Sequence, residues 1–178
     1  AVTEGRLAVI RSTDKGVTWS TPAQIAQLLA VGTRVPSQPS LTVRAGEILG
    51  TFAGNPGDGT LYAVWQDSRF SGFDEIAFIM SENGGFSWST PIKVNQTPVN
   101  EDNPLRAQAF IPSVAVSSDG TVTVTYYDFR NDIDGPELAD HFAVHCHAAS
   151  EDCSEPASWA DAGDEVVLTD TSFNILEA

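Results

Sequence analysis

Three groups of side chains in this sequence have the types and spacing for chemistry. Cys146 and Cys153 lie seven positions apart, and His145 and His147 flank the first of them. The two thiols can close a small loop as a disulfide or stay free. Cys146, His147 and Cys153 are also zinc-ligand types, although no C-x-x-C unit is present and Glu151 and Asp152 read as turn residues. All three readings stay open, and a disulfide would mean export. Second, Asp67-Ser68-Arg69 recurs as Asp128-Phe129-Arg130. An acid and a guanidinium two residues apart, repeated in this way, read as a strand-end ion pair or turn lock. Third, Asp132, Asp134, Glu137 and Asp140 crowd one connection. Calcium takes such oxygen ligands, but the spacing is not that of an EF-hand loop. No metal or cofactor is assigned, and calcium is kept only as an alternative.

The elements that must carry these groups are repeated. Ser12-Thr13-Asp14-Lys15-Gly16-Val17-Thr18-Trp19 matches Ser81-Glu82-Asn83-Gly84-Gly85-Phe86-Ser87-Trp88 at an offset of 69 residues. Both read S-x-[DN]-x-G-x-[ST]-W. A further 69 residues reaches Ser150-Glu151-Asp152, with Ser158-Trp159 displaced by two positions and the glycine lost. Independently, the segment from Gly59 to Arg69 aligns without a gap with that from Gly120 to Arg130. Pro39-Ser40-Leu41-Thr42-Val43 pairs with Pro112-Ser113-Val114-Ala115-Val116. Three segments recurring in one order mark a repeated structural unit.

Each unit reads as four short strands, near 39–43, 60–67, 74–80 and 91–95, then 112–116, 121–128, 141–147 and 164–169. Alternation such as Thr121-Val122-Thr123-Val124-Thr125 supports this, and Gly, Asn, Asp and Pro clusters separate the strands. The best helical stretch, 24–31, lacks caps. Four strands per repeat predict an all-β chain of β-propeller blades. The boundaries fall at 1–30 for the outer half of one blade, 31–100 and 101–170 for two whole blades, and 171–178 for the start of another.

The repeated octapeptide has the logic of a turn. Asp14 or Asn83 can accept backbone N–H groups two residues on, Gly16 or Gly85 supplies a positive φ, and Ser12 or Ser81 ties its hydroxyl to the same turn. Trp19 or Trp88 is expected to bury a large area against its own sheet. The segment 44–58, rich in glycine, looks extra relative to the next unit. It reads as a functional loop or a tolerated excursion.

These turns resemble the Asp boxes of the sialidase-like (BNR-repeat) superfamily, and the recurrence covers nearly the whole chain. The resemblance implies a six-bladed propeller with the Asp boxes at its outer rim and an active site at the opposite end, near the axis. Arg34-Val35-Pro36 looks like the family's Arg-Ile-Pro motif, which supplies a carboxylate-binding arginine. Asp67-Ser68-Arg69 with Asp74 resembles the segment carrying the catalytic acid. By that resemblance Asp74 would be the acid/base, and Arg34 and Arg69 substrate contacts. Guanidinium pairing suits a carboxylated sugar. The tyrosine nucleophile of such enzymes and their other arginines belong to later blades. The residues themselves also allow a structural reading. Asp-x-Arg repeats, Arg106 roughly matches Arg34, and Asp74 simply opens a strand.

Composition narrows the partners. With 24 acidic residues against 9 basic ones the net charge is −15, which disfavours nucleic acid and anionic membranes. No apolar run approaches the roughly 20 residues that span a bilayer. The acidity suits a solvated surface or life in salty water. No leader is visible at Ala1. About two and a half blades cannot close a ring, so the remaining blades, or other copies of the chain, are the expected partners, with a glycan as ligand. The functional expectation is a piece of an exported sialidase-like glycoside hydrolase. The alternative is a non-catalytic propeller that binds glycan or protein.

Overall fold

The computed structural model describes residues 5–177, with Glu47, Asp134, Pro136 and Ala162 left aside. The chain is all-β, interrupted among these residues only by two single 3-10 turns, Pro104–Ala107 and Pro156–Trp159. None of its described helices is long and apolar enough to cross a membrane.

Strands β1 (Gly5–Val9) and β2 (Ala23–Leu28) pair as an antiparallel hairpin. β3 (Arg34–Val35) and β4 (Gln38–Thr42) form a second, small hairpin. β5 (Thr51–Gly54), β6 (Leu61–Asp67), β7 (Glu75–Ser81) and β8 (Ile92–Lys93) follow in spatial order as a four-stranded antiparallel sheet. β9 (Ala109–Val116), β10 (Thr121–Asp128), β11 (Leu138–His147) and β12 (Glu165–Val167) build another sheet of the same order, and β13 (Phe173–Asn174) pairs with the start of β11.

One expectation is corrected. Residues 39–43 are not the first strand of the second sheet; they fold back on Arg34 and Val35. That place belongs to β5, inside the glycine-rich stretch read as extra. Val64 pairs with Thr51, as its repeat equivalent Thr125 pairs with Ser113. The likeness of Pro39–Val43 to Pro112–Val116 is therefore one of letters and not of position.

Side-chain pattern and packing agree. β6 and β7 are buried almost continuously because both faces of their sheet are covered. Tyr62, Val64, Ile76 and Phe78 meet Val122, Val124, Tyr126 and Phe142 of the next sheet and Trp159 of the second 3-10 turn. On the opposite face, Ala63, Trp65, Ala77 and Ile79 meet Leu7, Ala26 and Leu28. β10 instead alternates, its valines and Tyr126 buried and its threonines half-exposed, because only one of its faces is packed.

The repeated turns close in the same way. Ser12 Oγ donates to Asp14 Oδ1 at 2.8 Å and accepts Gly16 N–H at 2.7 Å. Ser81 Oγ donates to Asn83 Oδ1 at 3.0 Å and accepts Gly85 N–H at 2.9 Å. Gly16 and Gly85 have φ of 89° and 81°, where a Cβ would be strained. Two details differ from expectation. The carboxylate of Asp14 and the amide oxygen of Asn83 accept the N–H four residues on, from Thr18 and Ser87, because the serine hydroxyl occupies the nearer positions. Trp19 is 58% exposed and covers little beyond its own turn, to whose Gly16 carbonyl it donates. Trp88 is half-buried against the core between the first two sheets.

The third turn is built differently. Cys146 and Cys153 are disulfide-bonded with Cα atoms 5.9 Å apart, which removes the zinc-ligand and free-thiol readings. Trp159, fully buried, donates its ring N–H to the Cys153 carbonyl at 2.9 Å.

Candidate functional site

The residues singled out for chemistry sit where β6 ends and β7 begins. β6 terminates in Asp67, which is completely buried. A buried carboxylate needs partners. Arg69 supplies them: its Nε donates to Asp67 Oδ1 at 2.8 Å, its Nη2 to Oδ2 at 2.7 Å, and its backbone N–H to Oδ1 at 2.9 Å. Trp65 Nε1 donates to Oδ2 at 2.7 Å. The guanidinium also donates to the Gln27 carbonyl at 2.6 Å, tying β6 to the first hairpin.

The equivalent place in the next sheet repeats this arrangement with an addition. Arg130 Nε donates to Asp128 Oδ2 at 2.7 Å, and its Nη1 and Nη2 donate to both oxygens of Glu165 at 2.7 and 2.8 Å. Its guanidinium lies 3.7 Å above the Phe142 ring. Burial pushes the Asp128 carboxyl above its ordinary value, against the pull of Arg130.

Asp74 precedes β7 and has no exposed surface. Its Oδ1 accepts the Val31 N–H at 2.8 Å. Its Oδ2 accepts the Gly32 N–H at 3.0 Å and Gln66 Nε2 at 3.2 Å. Gln66 Nε2 also reaches Thr33 Oγ1, and Gln66 Oε1 accepts the Ile111 N–H at 3.0 Å. The Asp74 carbonyl accepts the Ala109 N–H at 2.8 Å. One buried network thus joins the segment 31–33 after the first hairpin, β6 and β7 of the four-stranded sheet, and β9. Among the described residues this buried carboxyl is met by two successive backbone N–H groups and a side-chain amide.

Arg34 is clamped by its backbone. Gln108 accepts its N–H at 2.9 Å and donates to its carbonyl at 2.8 Å, while the side chain is exposed. The Asp74 network, through residues 31–33, leads directly to Arg34. Arg69 is held by Asp67 and Gln27 instead.

One grouping escaped sequence reasoning. The Tyr126 hydroxyl donates to Glu165, whose carboxylate Arg130 grips. Tyrosine, glutamate and arginine together are the groups of a tyrosine-nucleophile site. Here, however, Tyr126 is fully buried, and burial followed by the Glu165 contact raises its pKa. Its oxygen also accepts the Gln96 N–H at 2.9 Å. This geometry suits an internal peg. Tyr126 and Glu165 lie 39 residues apart, so no local pattern could have found them.

The acidic connection is also engaged internally. Asp140 accepts from Asn131, Thr169 and Ser172, and Glu137 from Ser37 and Gln38. Asp134 lies outside the described residues. Among the described residues no group of three or more His, Cys, Asp or Glu side chains could hold a metal ion.

No protein-family profile matches the chain, and no curated protein matches it. Among solved structures it is similar to one named "Hadza microbial sialidase Hz136", with a TM-score of 0.51 and 18% identity, covering 82% of this chain and 30% of that one. The chain therefore spans less than a third of that protein's length. At this identity the likeness shows the fold alone, an all-β, sialidase-like arrangement of antiparallel sheets.

Proposed function

We propose that the chain is an arc of an exported, Asp-box β-propeller of the sialidase-like type, and that its singled-out residues are scaffold. The observation that carries this reading is the Asp74 carboxylate, buried and bonded to the successive N–H groups of Val31 and Gly32. General acid catalysis needs a carboxyl within reach of the substrate's leaving oxygen. The repetition of Asp67–Arg69 as Asp128–Arg130 supports the same conclusion, since both pairs hold strand ends in equivalent sheets. The disulfide supports an oxidising compartment.

Ile10 and Phe52 on one side, and Val167 and Leu168 on the other, are about half-exposed. Further blades, or other copies of the chain, would cover them. The whole protein would bind glycan or another protein through surfaces that this arc helps to shape.

A second reading keeps the arc inside a hydrolase, with Asp74 as acid/base and Arg34 and Arg69 on the sugar. The sialidase-like sheet arrangement and the exposed Arg34 side chain favour it. Release of 4-methylumbelliferone from its sialoside by the full-length protein, followed across pH 4 to 8, separates the two. The scaffold reading expects no turnover. Turnover that collapses in Asp74→Asn while the fold is retained would establish the hydrolase.

A further inference from the structure

A groove of about 550 Å³ runs between the first two S-x-[DN]-x-G-x-[ST]-W turns. Trp19 and Ser20 from one turn and Phe86 from the other form walls, and Arg11 and Thr13 lie along it. Both walls are turns that cap described strands. Trp19 is 58% and Phe86 74% exposed, among the most open large apolar side chains described. Trp19 is nonetheless fixed in orientation, because its Nε1 donates to the Gly16 carbonyl at 3.2 Å.

The charged side chain that lines the groove is a cation in an acidic chain, with the Asp14 carboxylate behind the Ser12 and Thr18 hydroxyls. With 24 acidic residues in the sequence, no carboxylate lines it. Arg11 does, its guanidinium 3.5 Å above the Phe86 ring. Arg11 makes no ion pair with a described residue, so its charge is not neutralised within the chain. A guanidinium stacked on a ring at the edge of a groove matches a carboxylate. A flat exposed indole beside hydroxyl side chains matches the apolar C–H face and the hydroxyls of a pyranose.

We infer that this rim groove binds an acidic oligosaccharide, with a sugar carboxylate on Arg11 and a neighbouring ring stacked on Trp19. The site is separate from Asp74 and does not depend on whether the protein hydrolyses anything.

The test is titration of the protein with trigalacturonate and with 3′-sialyllactose, using maltotriose as the neutral control, read by calorimetry and indole emission. At least one acidic probe should bind saturably. Maltotriose, Trp19→Ala and Arg11→Gln should each weaken binding about tenfold or more, equivalent to about 1.4 kcal/mol. Trp19→Ala and Arg11→Gln are checked for an unchanged melting temperature, and Phe86→Ala provides an independent probe of the opposite wall. Absence of saturable binding by both acidic probes would overturn the inference. So would binding that survives Trp19→Ala or Arg11→Gln, or equal binding of the neutral sugar.

Discussion

Arg69 closes on Asp67 through two nearly parallel hydrogen bonds of 2.8 and 2.7 Å, two residues apart at the end of β6. Arg130 at the end of β10 donates Nε to Asp128 Oδ2 at 2.7 Å and grips Glu165 with both Nη groups. Each pair satisfies a carboxylate that the sheet has buried, and the two differ in how much would be stranded by losing the arginine.

That difference is measurable. Arg69→Met leaves one buried carboxylate without its cation, whereas Arg130→Met leaves two, Asp128 and Glu165. Breaking a buried pair from one side costs about 3–5 kcal/mol. Arg130→Met should fall at or above that range and Arg69→Met, whose side chain is 24% exposed, toward its lower end. Urea unfolding midpoints check the order. Equal and small effects would mean that neither pair is a lock.

The first turn gives a pH prediction. The Asp14 carboxyl is lowered from 3.8 to about 2, first by the Thr18 hydroxyl, then by the Thr18 N–H and by Ser12. Because the folded value is the lower one, the favourable contribution is complete above pH 3.8 and is lost as pH falls through about 2. Carboxyl-carbon NMR should find the Asp14 midpoint near 2 and see it rise toward 3.8 in Thr18→Val. A wild-type midpoint at the ordinary value would contradict the turn geometry.

The third turn gives another. Cys146 and Cys153 close a loop with a separation of 7 residues, for which the chain-entropy treatment gives about 2.5 kcal/mol. The Cys146→Ser/Cys153→Ser double variant should melt roughly 5–10 °C lower than the wild type. An unchanged melting temperature would mean that Trp159 and the surrounding core hold this turn unaided.

How much of this was legible in the sequence follows from how local each interaction is. The Ser12 and Ser81 turns are closed by bonds spanning at most four residues, so their letters carry their structure. β10 was legible because its threonine–valine alternation records one packed face. β5 was hidden because Thr51–Gly54 is short and glycine-flanked, and only its pairing with Val64 makes it a strand. The Pro39 segment misled because similar residues pair with a different partner. Asp74 was legible as a singular acid, but its partners Val31 and Gly32 lie more than forty residues upstream. Sequence alone therefore left it between acid catalyst and lock.

The central claim is that Asp74 holds three parts of the chain together. Equilibrium denaturation of Asp74→Ala tests this most directly. A lock predicts a loss of about 3 kcal/mol or more, since two backbone N–H groups and the Gln66 amide would be left buried without their acceptor. A catalytic acid kept in an open site at some cost to the fold predicts unchanged or raised stability on its removal, and that result would contradict the account.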